Sequence, residues 1–120
     1  MNLTLRGNIP SKKNSRRPFI RGGRILNFPS KEHEAWHREA ILQIGRFCPA
    51  LPYAKCRVEI TFYPATRRRS DLTNKAESIM DLLVDSGFII DDNWFAVPAV
   101  LLKLGTVDPQ NPRAEIVIEE

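Results

Sequence analysis

Between Cys56 and Tyr63 apolar and polar residues alternate, with Cys56, Val58, Ile60 and Phe62 set against Arg57, Glu59, Thr61 and Tyr63. A period of two puts each set on its own face of a strand, and Pro64 stops it. From Leu72 the period changes. Leu72, Ala76, Ile79, Met80 and Leu83 fall at i, i+4, i+7, i+8 and i+11, one face of a helix running to about Ser86. Gly87 follows in the place of a left-handed helix terminator. An earlier helix begins after Pro29, with Ser30 as N-cap and Glu34 in the first turn. Its stripe of Ala35, Trp36, Ala40, Ile41 and Ile44 ends near Gly45.

Shorter patterns complete the chain. Leu3 and Leu5 alternate with Thr4 and Arg6 as a short strand over residues 2–8. Phe19-Ile20 and Arg24–Asn27 flank Gly22-Gly23 as a hairpin. Cys48–Tyr53, with two prolines, reads as a loop. Phe88-Ile89-Ile90 is an apolar return. Val97–Leu104 and Ala114–Ile118 read as two last strands, able to pair as an antiparallel couple. The sum predicts one α+β domain over residues 1–120, two helices packed on a mixed β-sheet.

Composition narrows the classes. At 120 residues with 42% hydrophobic content, the chain is long enough for a modest core and too apolar for a disordered one. No apolar run reaches the length of a membrane span, and Met1–Pro10 lacks the apolar block of a signal peptide. Cys48 and Cys56 have no metal-type spacing and no nearby histidine, so they read as two free thiols of a reducing cytoplasm. The charge is segregated. Of 18 basic residues eight lie in residues 1–31, where no acid occurs, leaving ten against 14 acids in the rest. Lys12, Lys13, Asn14, Arg16 and Arg17 are therefore candidate contacts to a polyanion.

A second basic cluster, Arg67-Arg68-Arg69, stands directly before Asp71-Leu72-Thr73-Asn74. After one helix-sized interval comes Asp91-Asp92-Asn93. Asp71 alone is adequately explained as a helix cap. A helix from Leu72 to Ser86 is about 22 Å long at about 1.5 Å per residue. Residues 88–92, if extended, recover about 17 Å at about 3.3 Å per residue. Asp92 can then return beside Asp71. Carboxylates so placed suit Mg²⁺ or Mn²⁺, which take hard oxygen ligands together with water and substrate phosphate. The arginines would position a phosphate backbone. Asn74 lies one turn from Asp71, able to orient a carboxylate or touch phosphate. Lys75, at i+4, can pair with Asp71 or reach a phosphate. Asp81 and Asp85 read as surface far from this site, His33 and His37 as helix surface, and Trp36 as core. Trp94 and Phe95 can stack bases or pack a dimer interface, with core packing the ordinary expectation.

Arg67-Arg68-Arg69-x-Asp71-Leu72-x-Asn74, the apolar helix bearing Asp81, and Gly87-Phe88 followed by Asp91-Asp92 together resemble the RusA-type Holliday junction resolvases. The Pro10–Asn14 turn and the aromatic-bearing helix after Pro29 also fit, so the resemblance spans nearly the whole chain. It implies a homodimeric, Mg²⁺- or Mn²⁺-dependent endonuclease that nicks four-way DNA junctions symmetrically. It further implies a bacterial cytoplasmic setting and phage or prophage origin. Asp71 would be the first catalytic carboxylate and Asp92 another, with Asp91 beside it. Two positions depart from the family pattern. Thr73 stands where the best-known form has a second Asp. Glu77 stands where that form has a lysine, with Lys75 a candidate substitute. A DNA-binding protein whose nuclease site has been lost at Thr73 is the alternative.

Overall fold

Strand β4 (Arg57–Tyr63) lies inside the sheet because both its edges are paired and one of its faces is fully covered. Val58, Ile60 and Phe62 are buried, as the alternation requires. The computed structural model describes residues 1–12, 16–21 and 24–120, and of 16–21 and 24–29 the backbone alone. The main sheet has the order β1-β6-β4-β5, with β1 Asn2–Arg6, β6 Arg113–Glu119 and β5 Ala99–Leu104. β6 is antiparallel to both β1 and β4, while β5 runs parallel to β4. A separate hairpin pairs β2 (Arg16–Arg21) with β3 (Arg24–Pro29), Arg21 opposite Arg24. The turn glycines Gly22 and Gly23 lie outside the described residues.

The last two strands are not the antiparallel couple the sequence suggested. β6 inserts between β1 and β4, where its alternating Ala114, Ile116 and Ile118 meet Leu5, Leu3 and Val58 in one core. β5 is instead reached from β4 through a helix, the long crossover that parallel neighbours require.

Helix α1 (Lys31–Ile44) starts where expected: the Ser30 hydroxyl accepts the His33 backbone N–H at 3.1 Å, and Glu32 and Glu34 occupy the first turn. Helix α2 (Leu72–Asp85) buries Ala76, Ile79, Met80, Leu82 and Leu83. Gly87, at φ 85°, ends it in a conformation that favours glycine. Its N–H bonds to Val84 O at 3.2 Å and that of Phe88 to Leu83 O at 2.9 Å, which drives the Phe88 ring into the core.

His33 was expected on the helix surface and is instead buried. The Ser78 hydroxyl donates to Pro10 O at 2.7 Å, so its oxygen accepts from His33 Nε2 at 3.1 Å. This fixes Nε2 as the protonated nitrogen and ties α1, α2 and the Pro10 turn together. A buried polar group survives in a core only when it is bonded in this way. Burial lowers the His33 pKa below its ordinary 6.5, helped by the charges of His37 and Lys12, with Asp81 and Glu34 opposing. The folded state therefore favours neutral His33. Its stabilising contribution is complete above about pH 6.5 and falls as pH drops through the depressed folded value. Urea midpoints of wild type and His33→Gln at pH 7.5 and 5.5 check this: the wild type should lose more stability on acidification than the variant, and equal losses would refute it.

Trp36 packs against the core, as expected. Trp94 and Phe95 do not: both are nearly four-fifths exposed, in edge-to-face contact with each other at 6.1 Å. Of this turn only Ala96 and Val97, directly after them, enter the core. Cys48 is exposed and Cys56 buried, and both are free thiols. Among the described residues no helix is long and apolar enough to cross a membrane.

Candidate functional site

Asp71 occupies the N-cap position of α2 with extended backbone (φ −85°, ψ 124°), yet its carboxylate caps no backbone N–H. It accepts instead from Asn74 Nδ2 at 3.1 Å, so Asn74 orients it. The ordinary reason for an aspartate at a helix start is therefore absent here. Asp71 is exposed and shares an open cavity of about 850 Å³ with Arg67, Arg68 and Arg69. All three arginines are exposed and form no ion pair with a described residue.

Arg113, in the same cavity, is committed elsewhere. It is paired with Asp108 at 2.9 Å and Glu115 at 3.1 Å, and its guanidinium lies 4.0 Å from the centre of the Tyr63 ring. That ring fits because position 105 is glycine: a Cβ there would come within 2.5 Å of it. Lys75 also lines the cavity. It does not pair with Asp71, because its ammonium donates to Ile9 O at 2.6 Å, and burial lowers its pKa.

The second acidic cluster divides its labour. Asp91 accepts the Asp92 backbone N–H at 2.7 Å and Asn93 Nδ2 at 2.9 Å. Asn93 Oδ1 in turn accepts the N–H groups of Phe95 and Ala96, each at 3.0 Å. Asp91 and Asn93 thus build the turn, and these hydrogen bonds hold Asp91 below the ordinary carboxylate range. Asp92 lines a groove of about 480 Å³ between α2 and β5, with Thr73, Glu77, Met80, Asp81 and Val100 among its neighbours. Its pKa is raised, first by partial burial and then by its hydrogen bond to and charge repulsion from Asp91, with Asp81 adding to the repulsion. Asp81 is ion-paired with Lys12, whose backbone N–H also reaches Asn74 O at 3.4 Å.

Asp71 and Asp92 accordingly line different cavities. Residues 88–92 do not run extended along α2. Phe88 and Ile89 are buried, and Ile89 bridges to Tyr53, before Asp92 emerges beside the middle of the helix. Asp81, expected far from the site, is the carboxylate that joins Asp92. The signal was present: Thr73, Glu77 and Asp81 are spaced at i, i+4 and i+8, one stripe of the helix. Lys12, expected on a polyanion, is engaged by Asp81. Lys13 and Asn14 lie outside the described residues, as do the side chains of Arg16 and Arg17.

Among the described residues no group of three or more His, Cys, Asp or Glu side chains is arranged to hold a metal ion. Mg²⁺ is often bound through only one or two carboxylates with water and phosphate. Asp92 and Asp81 fit that smaller set, since both are oxygen donors in one groove and their mutual repulsion would be relieved by a cation. No family model matches the chain, and no curated protein matches its sequence.

Proposed function

We propose that the chain is a metal-dependent endonuclease acting on branched DNA, resolving four-way junctions by paired symmetric nicks as a homodimer. The reading takes from the resemblance a bacterial cytoplasmic protein of phage or prophage origin. The observation that carries it is the exposed Arg67–Arg69 cluster sharing a cavity with Asp71, whose carboxylate is not used as a cap. Exposed arginines, with no ion pair to a described residue, beside an oriented carboxylate suit phosphodiester recognition, because guanidinium groups hold phosphate oxygens in bidentate fashion. Asn74 keeps Asp71 turned outward, and Asp91 shapes the turn that aims Asp92 into the groove. Mg²⁺ or Mn²⁺ would be held by Asp92 and Asp81, with Asp91 as the neighbouring carboxylate and Asp71 in the separate arginine cavity, and would supply Lewis acidity at a phosphoryl oxygen. Thr73 offers that groove a hydroxyl in place of a carboxylate.

A nuclease-inactive branched-DNA-binding protein is favoured by two observations: Asp71 and Asp92 line separate cavities, and Lys12 is placed on Asp81. A cleavage assay on a synthetic four-way junction with Mg²⁺ or Mn²⁺ separates the two. Paired nicks support the first reading, while selective binding without product supports the second. Replacing Arg67, Arg68 and Arg69 together by alanine should weaken junction binding and flatten its salt dependence. The slope of log K against log salt should fall by roughly 2–3, at about 0.9 for each phosphate no longer neutralised. An unchanged slope would remove the arginines from the interface.

A further inference from the structure

β5 is the end strand of the main sheet, and among the described residues no strand pairs with its outer edge. Edge strands are ordinarily blunted by charge, proline or a bulge, since bare ones template pairing with another chain. β5 has none of these devices except one lysine: its sequence is Ala99-Val100-Leu101-Leu102-Lys103-Leu104. Lys103 is neutralised by Glu59 at 3.2 Å. The strand is nonetheless exposed along nearly its whole length, with Leu104 67%, Val100 45% and Leu101 40% accessible. Its register against β4 puts Val100, Leu102 and Leu104 on the helix-covered face with Val58, Ile60 and Phe62. Ala99, Leu101 and Lys103 take the opposite face.

We propose that β5 pairs antiparallel with β5 of a second copy of this chain, about a two-fold axis at Leu102. The occupant follows from the chemistry of the strand. It carries no acid, and its single cation is already paired, so it has no charge with which to hold a polyanion or a basic partner. The axis follows from geometry. Residues directly opposite in an antiparallel pair share a face, so the two-fold must pass through a residue rather than between two.

An axis at Leu102 sets Leu102 against itself and Val100 against Leu104 of the second copy. The helix-side row is then apolar throughout. On the other face each Lys103 meets Leu101 of the second copy, which keeps the two lysines from directly facing each other. An axis at Leu101 would leave Leu104 unpaired. A two-fold perpendicular to the sheet keeps both helix layers on one side. Because Val100 and Leu102 also line the Asp92 groove, the two grooves then lie on one face of an eight-stranded sheet, on either side of the axis.

The proposal deepens the homodimeric part of the reading above and rests on it, but its test reads mass rather than cleavage. Sedimentation equilibrium over a concentration series is run on wild type, on Val100→Lys/Leu104→Lys and on Val100→Lys/Leu104→Glu. Far-UV circular dichroism verifies that each is folded. The wild type should have twice the chain mass. The double-lysine variant places like charges opposite each other across the axis and should be monomeric at the same concentrations. The lysine–glutamate variant places opposite charges there and should return to the dimer. Should the double-lysine variant not fold, the lysine–glutamate variant decides alone, and a monomer overturns the proposed register. A double-lysine variant as dimeric as wild type overturns the interface while leaving a dimer standing. A wild type that is monomeric at every concentration overturns both.

Discussion

Asp92→Asn should reduce metal-dependent cleavage of a four-way junction by about a thousandfold, while junction binding changes little. Asp92 lies in the α2–β5 groove beside Asp81, and its proton affinity is raised by burial and by its carboxylate neighbours. On the proposed reading a group so placed would hold the divalent cation, and removing its charge would remove a ligand. Metal-borne charge stabilisation is worth several kcal/mol in a transition state, about three decades of rate at roughly 1.4 kcal/mol each. Binding is expected to persist because the arginines proposed to grip phosphate line the other cavity. Single-turnover cleavage with saturating Mn²⁺, beside a gel-shift titration, measures both quantities. Cutting at the wild-type rate would exclude Asp92 from the chemistry. A parallel loss of binding would mean that the groove, and not the arginine cavity, holds the DNA.

Phe88→Ala should cost about 3–5 kcal/mol of stability, the range for removing a fully buried aromatic ring. Phe88 has no accessible surface, and Gly87 and the last turn of α2 direct it inward. The same residue anchors the chain that leads to Asp91 and Asp92, and its carbonyl accepts the Tyr53 N–H at 2.9 Å. In a domain this size the melting temperature should fall by roughly 10–20 °C. Urea denaturation with an unchanged m-value would attribute the loss to the native core. A cost under about 1 kcal/mol would show that the neighbouring core residues collapse into the space.

The strands and helices were legible because each has a clean period. Val58, Ile60 and Phe62 on β4, and Ala76, Ile79, Met80 and Leu83 on α2, are buried as their spacing demands. What the period could not give was neighbourhood. Nothing local in Ala114–Ile118 says that its partners are β1 and β4 rather than β5, because strand order is set by how the whole core closes. His33 misled for a related reason: its burial depends on Ser78 and Pro10, distant in sequence, satisfying one ring nitrogen. Trp94 and Phe95 misled in the opposite direction, since size alone does not bring a ring inside. At the site, Asp71, Asn74 and the three arginines were read in their observed cavity or contact. An extended return of residues 88–92 would have brought Asp92 to Asp71. The buried path of Phe88 and Ile89 sets Asp92 down beside Asp81 instead.

Helix α2 has a consequence for the length of DNA engaged. The arginines precede its first turn, and the Asp92 groove runs beside Thr73, Glu77 and Asp81, so it extends no further than Asp81, ten positions along the chain from Asp71. At about 1.5 Å per residue that is roughly 15 Å, the axial span of about four nucleotides of one strand at about 3.4 Å each. On the proposed reading, the phosphate held by Arg67–Arg69 and the phosphate beside Asp92 are different phosphates of one backbone. Ethylation interference should then show two phosphates whose modification blocks binding, separated by at most about four nucleotides on the nicked strand. A single contiguous position would place both groups on the same phosphate.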